Sequence, residues 1–246
     1  YDLKAVIDAS PLTDDVEVIV AGRVVTQEYG DRALLKWILA QDPWLVGLGG
    51  YTWNEARNDT LAATIKAISP RTLMITGGAR FLHGAEAFLA SHPYYDVVVV
   101  GEGEKTFAEL LGVILAGNGD LSSIPGLVWR NGDRVIANPL RKLIQNLEGI
   151  PSPYLTGACD PREWGTLDLE TQRGCPWNCG YCSYAGAALI QEGERVRFFS
   201  IDRVVAEFEM AFASGVRRAY IMDPDFLSKR PRALKLCGAL AYVNKK

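Results

Sequence analysis

The stretch TQRGCPWNCGYCS, residues 171–183, is the most informative part of this chain. It contains three of the five cysteines, spaced C-x-x-x-C-x-x-C, on a loop after the alternating segment 166–171, which predicts a strand. Three thiolates on one short, glycine-containing loop can reach a single metal centre without closure of a long loop. The stretch therefore predicts a metal cluster with Cys175, Cys179 and Cys182 as ligands.

A structural zinc site is the main alternative, because zinc also binds thiolates. Such a site needs four ligands, yet His83 and His92 lie far upstream and Cys159 lies outside the loop. A cubane iron–sulfur cluster held by three cysteines leaves one iron free to bind a small molecule. A zinc knuckle or a disulfide loop fits three ligands at this spacing poorly, so the sequence favours the iron–sulfur cluster.

Composition bounds the class of protein. The chain has 246 residues, 48% hydrophobic and 22% charged, which is ordinary for one large or two medium globular domains. A net charge of −3 gives no reason to expect nucleic acid or an anionic membrane as partner. There is no apolar run of membrane-spanning length and no signal-peptide pattern, and the clustered cysteines suit a reducing compartment. We expect a cytoplasmic protein in which Cys159 and Cys237 are free thiols.

Strands and helices alternate through residues 1–118. The predicted strands are 16–21, 45–49, 72–76 and 96–100, and the predicted helices are 2–9, 31–41, 54–68, 84–91 and 106–116. Such alternation predicts an α/β fold with a parallel sheet whose ligand-facing loops follow the carboxyl ends of the strands. Gly77, Gly78 and Gly101 stand at those ends, where a bulky ligand can approach the backbone. Plain tight turns are the alternative reason for these glycines.

Proline and glycine punctuate residues 119–165, which we interpret as a linker. Within it, segments 127–130 and 134–137 flank Asn131-Gly132-Asp133 and predict a small hairpin. Beyond the cysteine loop, the pattern predicts a helix at 201–214, a strand at 218–222 and a helix at 231–242.

The cysteine stretch resembles the signature of the radical S-adenosylmethionine (SAM) superfamily, C-x-x-x-C-x-aromatic-C, with Tyr181 as the aromatic residue. The resemblance includes the Arg-Gly-Cys-Pro entry to the loop. Further downstream it extends to Arg195-Val196-Arg197, Ser200, Val204-Val205-Ala206-Glu207 and Asp223-Pro224-Asp225-Phe226.

Residues 1–118 resemble the cobalamin-binding domain that precedes the barrel in one class of radical SAM enzymes. The resemblance rests on Tyr51-Thr52-Trp53-Asn54, Gly77-Gly78 and Gly101-Glu102-Gly103-Glu104-x-Thr106-Phe107. It implies that cobalamin binds at Thr52, Trp53, Asn54, Gly77, Gly78, Gly101 and Glu102. The Asp-x-His-x-x-Gly motif that supplies a lower axial histidine elsewhere is absent. Trp53 is the candidate for covering the lower face of the corrin, and core packing is its alternative role.

The resemblance implies a definite architecture. A Rossmann-like cobalamin-binding domain (1–118) and a linker with a small hairpin (119–165) precede the first part of a radical SAM (β/α) partial barrel (166–246). Two strand–helix units follow the linker where the family has about six. We therefore expect a truncated chain, clipped also before its first helix.

The resemblance also implies site chemistry. Cys175, Cys179 and Cys182 would hold a 4Fe-4S cluster whose free iron takes the amino and carboxylate groups of SAM. Tyr181 would line the adenine, and Asp223 would hold the SAM amino end, unless it only initiates an Asp-Pro turn. Arg173 would either raise the cluster potential through its charge or be solvated.

Three functions follow as hypotheses. The first is methylation of an unactivated carbon of a small molecule or natural-product intermediate, through a 5′-deoxyadenosyl radical and methylcobalamin. The second keeps both cofactors for a radical cyclisation or ring rearrangement. The third is a non-catalytic cobalamin- or partner-binding fragment. The enzymatic readings imply an electron donor such as flavodoxin or ferredoxin.

Overall fold

The computed structural model describes residues 1–28, 30–117, 119–182 and 192–243. Asn118, the predicted end of the first domain, and Ser183, the end of the cysteine stretch, lie outside these residues. The chain divides into two compact units, Ala21–Lys142 and Tyr1–Val20 with Leu143–Lys246. We call them the sheet unit and the cysteine unit. The first twenty residues, assigned from sequence to the domain 1–118, are grouped with the C-terminal part of the chain.

The described elements are numbered here in chain order. The helices are α1 (Asp2–Asp8), α2 (Asp31–Ala40), α3 (Glu55–Ile68), α4 (Ala85–Ser91), α5 (Gly103–Leu115), α6 (Pro161–Trp164), α7 (Ile201–Ala213) and α8 (Arg230–Val243). The strands are β1 (Leu45–Gly49), β2 (Leu73–Gly77), β3 (Val97–Val99), β4 (Leu127–Asn131), β5 (Arg134–Ala137), β6 (Leu167–Leu169), β7 (Gln172–Arg173), β8 (Arg197–Phe198) and β9 (Ala219–Ile221). Short 3-10 helices span Pro11–Asp14, Ala79–Leu82 and Leu147–Gly149, and a π-helical turn spans Val24–Glu28.

The sheet unit is built on a five-stranded sheet of order β1-β2-β3-β4-β5. Strands β1, β2 and β3 are parallel, and their register brings Gly49, Gly77 and Val99 side by side at the carboxyl edge. The apolar strands are buried because helices cover the sheet: Met74, Val98 and Leu89 are all 0% exposed in one hydrophobic cluster. The predicted α/β fold is confirmed, but the sheet is parallel only in β1 to β3, because β4 and β5 are added antiparallel.

The hairpin at β4 and β5 formed as predicted, but not as part of a linker. Strand β4 pairs antiparallel with β3, so that Val98 lies opposite Val128, and β5 then forms the edge of the sheet. The buried edge of β3 has backbone groups that need partners, and an apolar hairpin supplies them. The turn residues were enough to predict the hairpin from sequence. The pairing of β4 with β3 could not be predicted, because the two strands are distant in the chain and no local pattern indicates it.

The cysteine unit contains two short pairs of strands. Strand β6 pairs in parallel with β9, and β7 pairs antiparallel with β8. Ser200 caps the N-terminus of helix α7, and its side chain accepts a hydrogen bond from the Arg203 amide. Leu167, Leu169, Val204 and Leu236 form the centre of its core, each 1% exposed or less. The two predicted strand–helix units after the linker are both present.

Residues 16–21 do not form the predicted strand. They belong to no described helix or strand. Their side chains alternate between half-buried and exposed from 16 to 20, but no described strand pairs with them. Apolar alternation alone therefore overestimated this segment, because a strand is stable only with a hydrogen-bonded neighbour. In the part of the chain that the structure describes, no helix has the length and apolar character needed to cross a bilayer.

Candidate functional site

The cysteine loop and Asp223 each follow the carboxyl end of a strand, and the two strands are neighbours. The loop follows β6, Asp223 follows β9, and these strands run parallel with Leu169 beside Ile221. The carboxyl ends of adjacent parallel strands meet at one edge, where ligands bind in open α/β folds. The order of the strands thus brings together two groups that are distant in sequence.

Gly174 fixes how the chain enters the loop. Its φ is +85°, and a Cβ at this position would lie 1.8 Å from the Arg195 carbonyl oxygen. Only glycine allows the backbone to pass this close with that conformation. The same neighbour contacts the loop again, because Arg195 Nη1 donates to Asn178 Oδ1 at 2.5 Å.

All three cysteines of the motif are free thiols, with Cys179 exposed and the other two half-buried. The Cys182 amide donates to the Cys179 carbonyl at 3.0 Å, which makes a tight turn between two of them. Across the described residues, which include all three, no three histidine, cysteine or acidic side chains are placed to hold a metal ion. The donor set fits an iron–sulfur cluster, whereas the thiols themselves do not converge here; metal sites are seldom preformed without the metal.

The other residues predicted near the cluster have definite partners. Both carboxylate oxygens of Asp223 accept hydrogen bonds from Thr171, at 2.7 and 2.5 Å. Tyr181 is 93% exposed. Arg173 Nε donates to Glu170 Oε2 at 2.9 Å, so Arg173 is not simply solvated. The roles of Asp223 and Tyr181 in SAM binding remain predictions.

Sequence reasoning missed two residues that support this loop. Arg232 donates to the backbone carbonyls of Thr171 at 2.9 Å and Phe199 at 2.8 Å. Asp225 Oδ2 accepts from the indole nitrogen of Trp177 at 2.7 Å. Asp225 belongs to a segment already singled out by resemblance, but nothing in the sequence indicated that it reaches the loop, 48 residues away.

In the sheet unit, the carboxyl edge is a surface of closely packed backbone. The Gly50 amide donates to the Gly77 carbonyl at 2.6 Å, which joins the ends of β1 and β2. Gly78 has a φ of +121°, and a Cβ there would lie 2.9 Å from the Gly50 carbonyl oxygen. Gly101, after β3, also has a positive φ. A side chain at 78 would disrupt this edge, so the glycine does more than complete a turn.

An aromatic pair projects from the loop after β1. Trp53 is 78% exposed and stacks on Tyr51, with ring centroids 4.6 Å apart and planes 11° from parallel. Core packing, the alternative role considered for Trp53, is therefore wrong. Thr52 is exposed beside them, whereas Asn54 shapes the loop by accepting from the Tyr51 amide at 2.9 Å and donating to the Gly49 carbonyl at 2.8 Å.

Glu102 stands at the N-cap position of α5 and is half-buried, with an extended backbone. A forked ion pair joins the start of α3 to the 3-10 helix after β2: Arg80 donates to both oxygens of Glu55, at 2.9 and 3.1 Å. The hydrogen bond from Arg80 lowers the pKa of Glu55. This pair, which sequence reasoning also missed, links the segments after β1 and β2. These segments carry four of the seven residues predicted to bind cobalamin: Thr52, Trp53, Asn54 and Gly78.

Comparisons with known proteins support the resemblance. No protein-family model matches the chain. It is 33% identical over 208 residues to the cobalamin-dependent radical SAM methyltransferase TokK of Streptomyces tokunonensis. It is 34% identical over 209 residues to the 2-(S-pantetheinyl)-carbapenam-3-carboxylate methyltransferase of Streptantibioticus cattleyicolor. Each match covers 81% of this chain, which spans 30% of the length of each relative.

A solved structure shares the fold. The chain matches the radical SAM methyltransferase TsrM of Kitasatospora setae, solved with cobalamin and a 4Fe-4S cluster, with a TM-score of 0.68 at 20% identity. The match covers 96% of this chain and 47% of that one. The cysteine loop lies at the end of β6, and Gly77, Gly78 and Gly101 lie at the ends of β2 and β3. The sequence similarity and the shared fold thus point to the same kind of protein. Over four fifths of its length the chain is therefore similar to cobalamin-dependent radical SAM methyltransferases.

Proposed function

We propose that this chain binds a 4Fe-4S cluster, SAM and cobalamin as part of an enzyme that methylates an unactivated carbon of a small molecule. The observation that supports this most is the cysteine motif at the carboxyl end of β6, on a chain 33% identical to a cobalamin-dependent radical SAM methyltransferase. The loop has one exposed and two half-buried free thiols, so iron and sulfide can reach it from solvent.

Each motif residue has a proposed role. Cys175, Cys179 and Cys182 would hold three irons, and the fourth iron would be left for the amino and carboxylate groups of SAM. When bound, the cluster supplies the electron that cleaves the sulfonium of SAM. The exposed ring of Tyr181 is free to lie along the adenine, since it is 93% exposed. Arg173 adds positive charge beside the loop, partly offset by Glu170.

Cobalamin would lie on the carboxyl edge of the sheet unit. Gly77, Gly78 and Gly101 let a large ring approach backbone, and Thr52, Asn54 and Glu102 border that edge. Trp53 would cover the lower face of the corrin, where an apolar ring hinders ligation of cobalt by water. When bound, cobalamin supplies the methyl group. Stacking on Tyr51 holds the indole out from the loop, which suits this role.

The reaction needs an electron donor, for which we propose a flavodoxin or ferredoxin, in a cytoplasmic setting. The substrate would be a small molecule or natural-product intermediate. A cyclisation or ring rearrangement with the same cofactors is the alternative reaction. Transfer of a labelled methyl group from SAM to the product distinguishes the two, because a rearrangement leaves no new methyl group on the product.

Anaerobic reconstitution with iron, sulfide and cobalamin tests the proposal. The wild-type chain should show absorption from both cofactors and release 5′-deoxyadenosine from SAM under a reductant. Cys179→Ala should release none, because a cluster with two thiolate ligands cannot be retained. Cys237→Ala, an exposed cysteine outside the loop, is the matched control and should behave as wild type. Zinc in place of iron, or normal 5′-deoxyadenosine from Cys179→Ala, would overturn the cluster assignment.

A further inference from the structure

Thr171 and Gln172, the last residues before the loop entry, are buried to 0% and 1% exposure. The Thr171 amide donates to Asp223 Oδ1 at 2.7 Å, and its hydroxyl donates to Asp223 Oδ2 at 2.5 Å. The Gln172 amide donates to Asp223 Oδ1 at 3.1 Å. One carboxylate therefore fixes two consecutive peptide units.

Arg232 also holds Thr171. Its guanidinium donates to the Thr171 hydroxyl at 3.2 Å and to the Thr171 carbonyl at 2.9 Å. It also donates to the Phe199 carbonyl at 2.8 Å, and the Phe199 amide donates to the Thr171 carbonyl at 3.1 Å. Its guanidinium carbon lies 4.7 Å from the centroid of the Phe198 ring, which keeps the group in place.

The residues between Asp223 and Arg232 contact the same stretch. The Asp225 carbonyl accepts from Gln172 Nε2 at 2.6 Å, and Ser228 donates to Gln172 Oε1 at 3.1 Å. Asp225 Oδ2 accepts from Trp177, which lies between Cys175 and Cys179. Residues 223–232 thus contact both the entry and the middle of the cysteine loop.

We propose that Asp223 and Arg232 are positioning residues that clamp Thr171 and so set where the cysteine loop leaves β6. The inference rests on the proposed function. It assigns the Asp223 carboxylate to the protein rather than to the SAM amino group. Groups that orient metal ligands typically change metal affinity by about 10–100-fold when they are removed.

Four variants of the 246-residue chain test the clamp: Asp223→Ala, Asp223→Asn, Arg232→Met and, as control, Lys235→Met, an exposed cation on the same helix. The amide of Asn can accept from both backbone amides and donate to the Thr171 hydroxyl, so it replaces every contact of the carboxylate except its charge. The first measurement is trypsin cleavage after Arg173 in the metal-free chain. The second is iron content after anaerobic reconstitution, and the third is SAM affinity of the reconstituted chain.

Asp223→Ala and Arg232→Met should be cleaved after Arg173 about tenfold faster than wild type, because buried partners are lost. Both should retain less than about a tenth of the iron. Asp223→Asn and Lys235→Met should keep wild-type protection and iron content.

Two results would overturn the clamp. One is wild-type trypsin resistance in both Asp223→Ala and Arg232→Met. The other is full iron content in Asp223→Asn with SAM binding weakened about tenfold or more, as expected for loss of a charged contact to SAM itself. Trypsin cleavage requires neither cluster nor SAM, so it separates failure of the clamp from failure of the proposed cofactors. If Asp223→Ala does not fold, Arg232→Met and Asp223→Asn still test whether the clamp exists.

Discussion

The five cysteines differ in how far solvent reaches them. Cys179 and Cys237 are exposed, whereas Cys159 is buried at 6% exposure. Burial raises the pKa of Cys159 to about 11. Since the thiolate is the reactive form, the fold protects Cys159 chemically as well as sterically.

Alkylation by iodoacetamide at pH 8 should therefore reach Cys179 and Cys237 at least about tenfold faster than Cys159. Loading with iron and sulfide should protect Cys175, Cys179 and Cys182 while Cys237 stays reactive. Peptide mapping by mass spectrometry gives the rates, with the urea-unfolded chain as reference. Equal labelling of Cys159 and Cys179 in the folded chain would contradict the burial, and continued labelling of Cys179 after loading would contradict the cluster.

Trp53 carries the second prediction for a single residue. Trp53→Ala should change the visible spectrum of bound cobalamin, because water would then reach the lower face of cobalt, while 5′-deoxyadenosine release stays normal. Stability should change by less than about 1 kcal/mol, since the ring is 78% exposed. Trp44→Ala is the matched control: this half-exposed tryptophan precedes β1, at the opposite end of the strand. Identical spectra for both variants would exclude Trp53 from the lower face.

Among the elements, short strand pairs set the geometry of the cysteine loop. Strands β7 and β8 contribute two residues each, and Gly174 follows β7 where the chain passes against Arg195. A loop held by so few ladder bonds depends on close packing at its start. The positive φ of Gly174 and the absence of a side chain there make that packing possible.

Gly174→Ala should destabilise the chain by about 2 kcal/mol or more, because the new Cβ meets a backbone carbonyl and the φ is strained. Gly180→Ala, in the same loop, should cost less than about 0.5 kcal/mol, because a Cβ there meets nothing within 4 Å. Urea unfolding gives both values. Equal stabilities would mean that the loop start rearranges freely.

At the scale of the whole molecule, the two units have separate hydrophobic cores. Units with their own cores respond to local damage separately. The proposed cofactors also fall on different units, with cobalamin at the edge of the five-stranded sheet and the cluster at the end of β6.

A substitution in one unit should therefore remove one cofactor and leave binding of the other unchanged. Gly78→Ala should reduce retention of cobalamin, because a Cβ would lie 2.9 Å from the Gly50 carbonyl oxygen, while iron uptake stays normal. Cys179→Ala should show the reverse. Iron analysis and the absorbance of retained cobalamin after gel filtration measure both. Parallel loss of both cofactors in Gly78→Ala would show that the sites are coupled.

The amino-acid sequence determined the local features of this protein. Apolar runs such as Val97 to Val100 fix their strands, because such runs are stable only when buried on both faces. The cysteine spacing names the candidate ligands, because three thiols on one short loop can reach a single metal centre once the metal is present. Residues 16–21 mark the limit, since their alternation predicted a strand but none of the described strands pairs with them.

Tertiary structure alone decided how distant residues meet. Asp223 and Arg232 reach Thr171 across 52 and 61 positions, and the hairpin completes a sheet begun at Leu45. Strand pairing and helix packing determine which residues at such separations form hydrogen bonds. A sequence pattern shows only which side chains of a segment are buried, so it does not indicate these partners. The candidate ligands could thus be named from the chain and stay a prediction, whereas the residues that hold the loop could be found only in the fold.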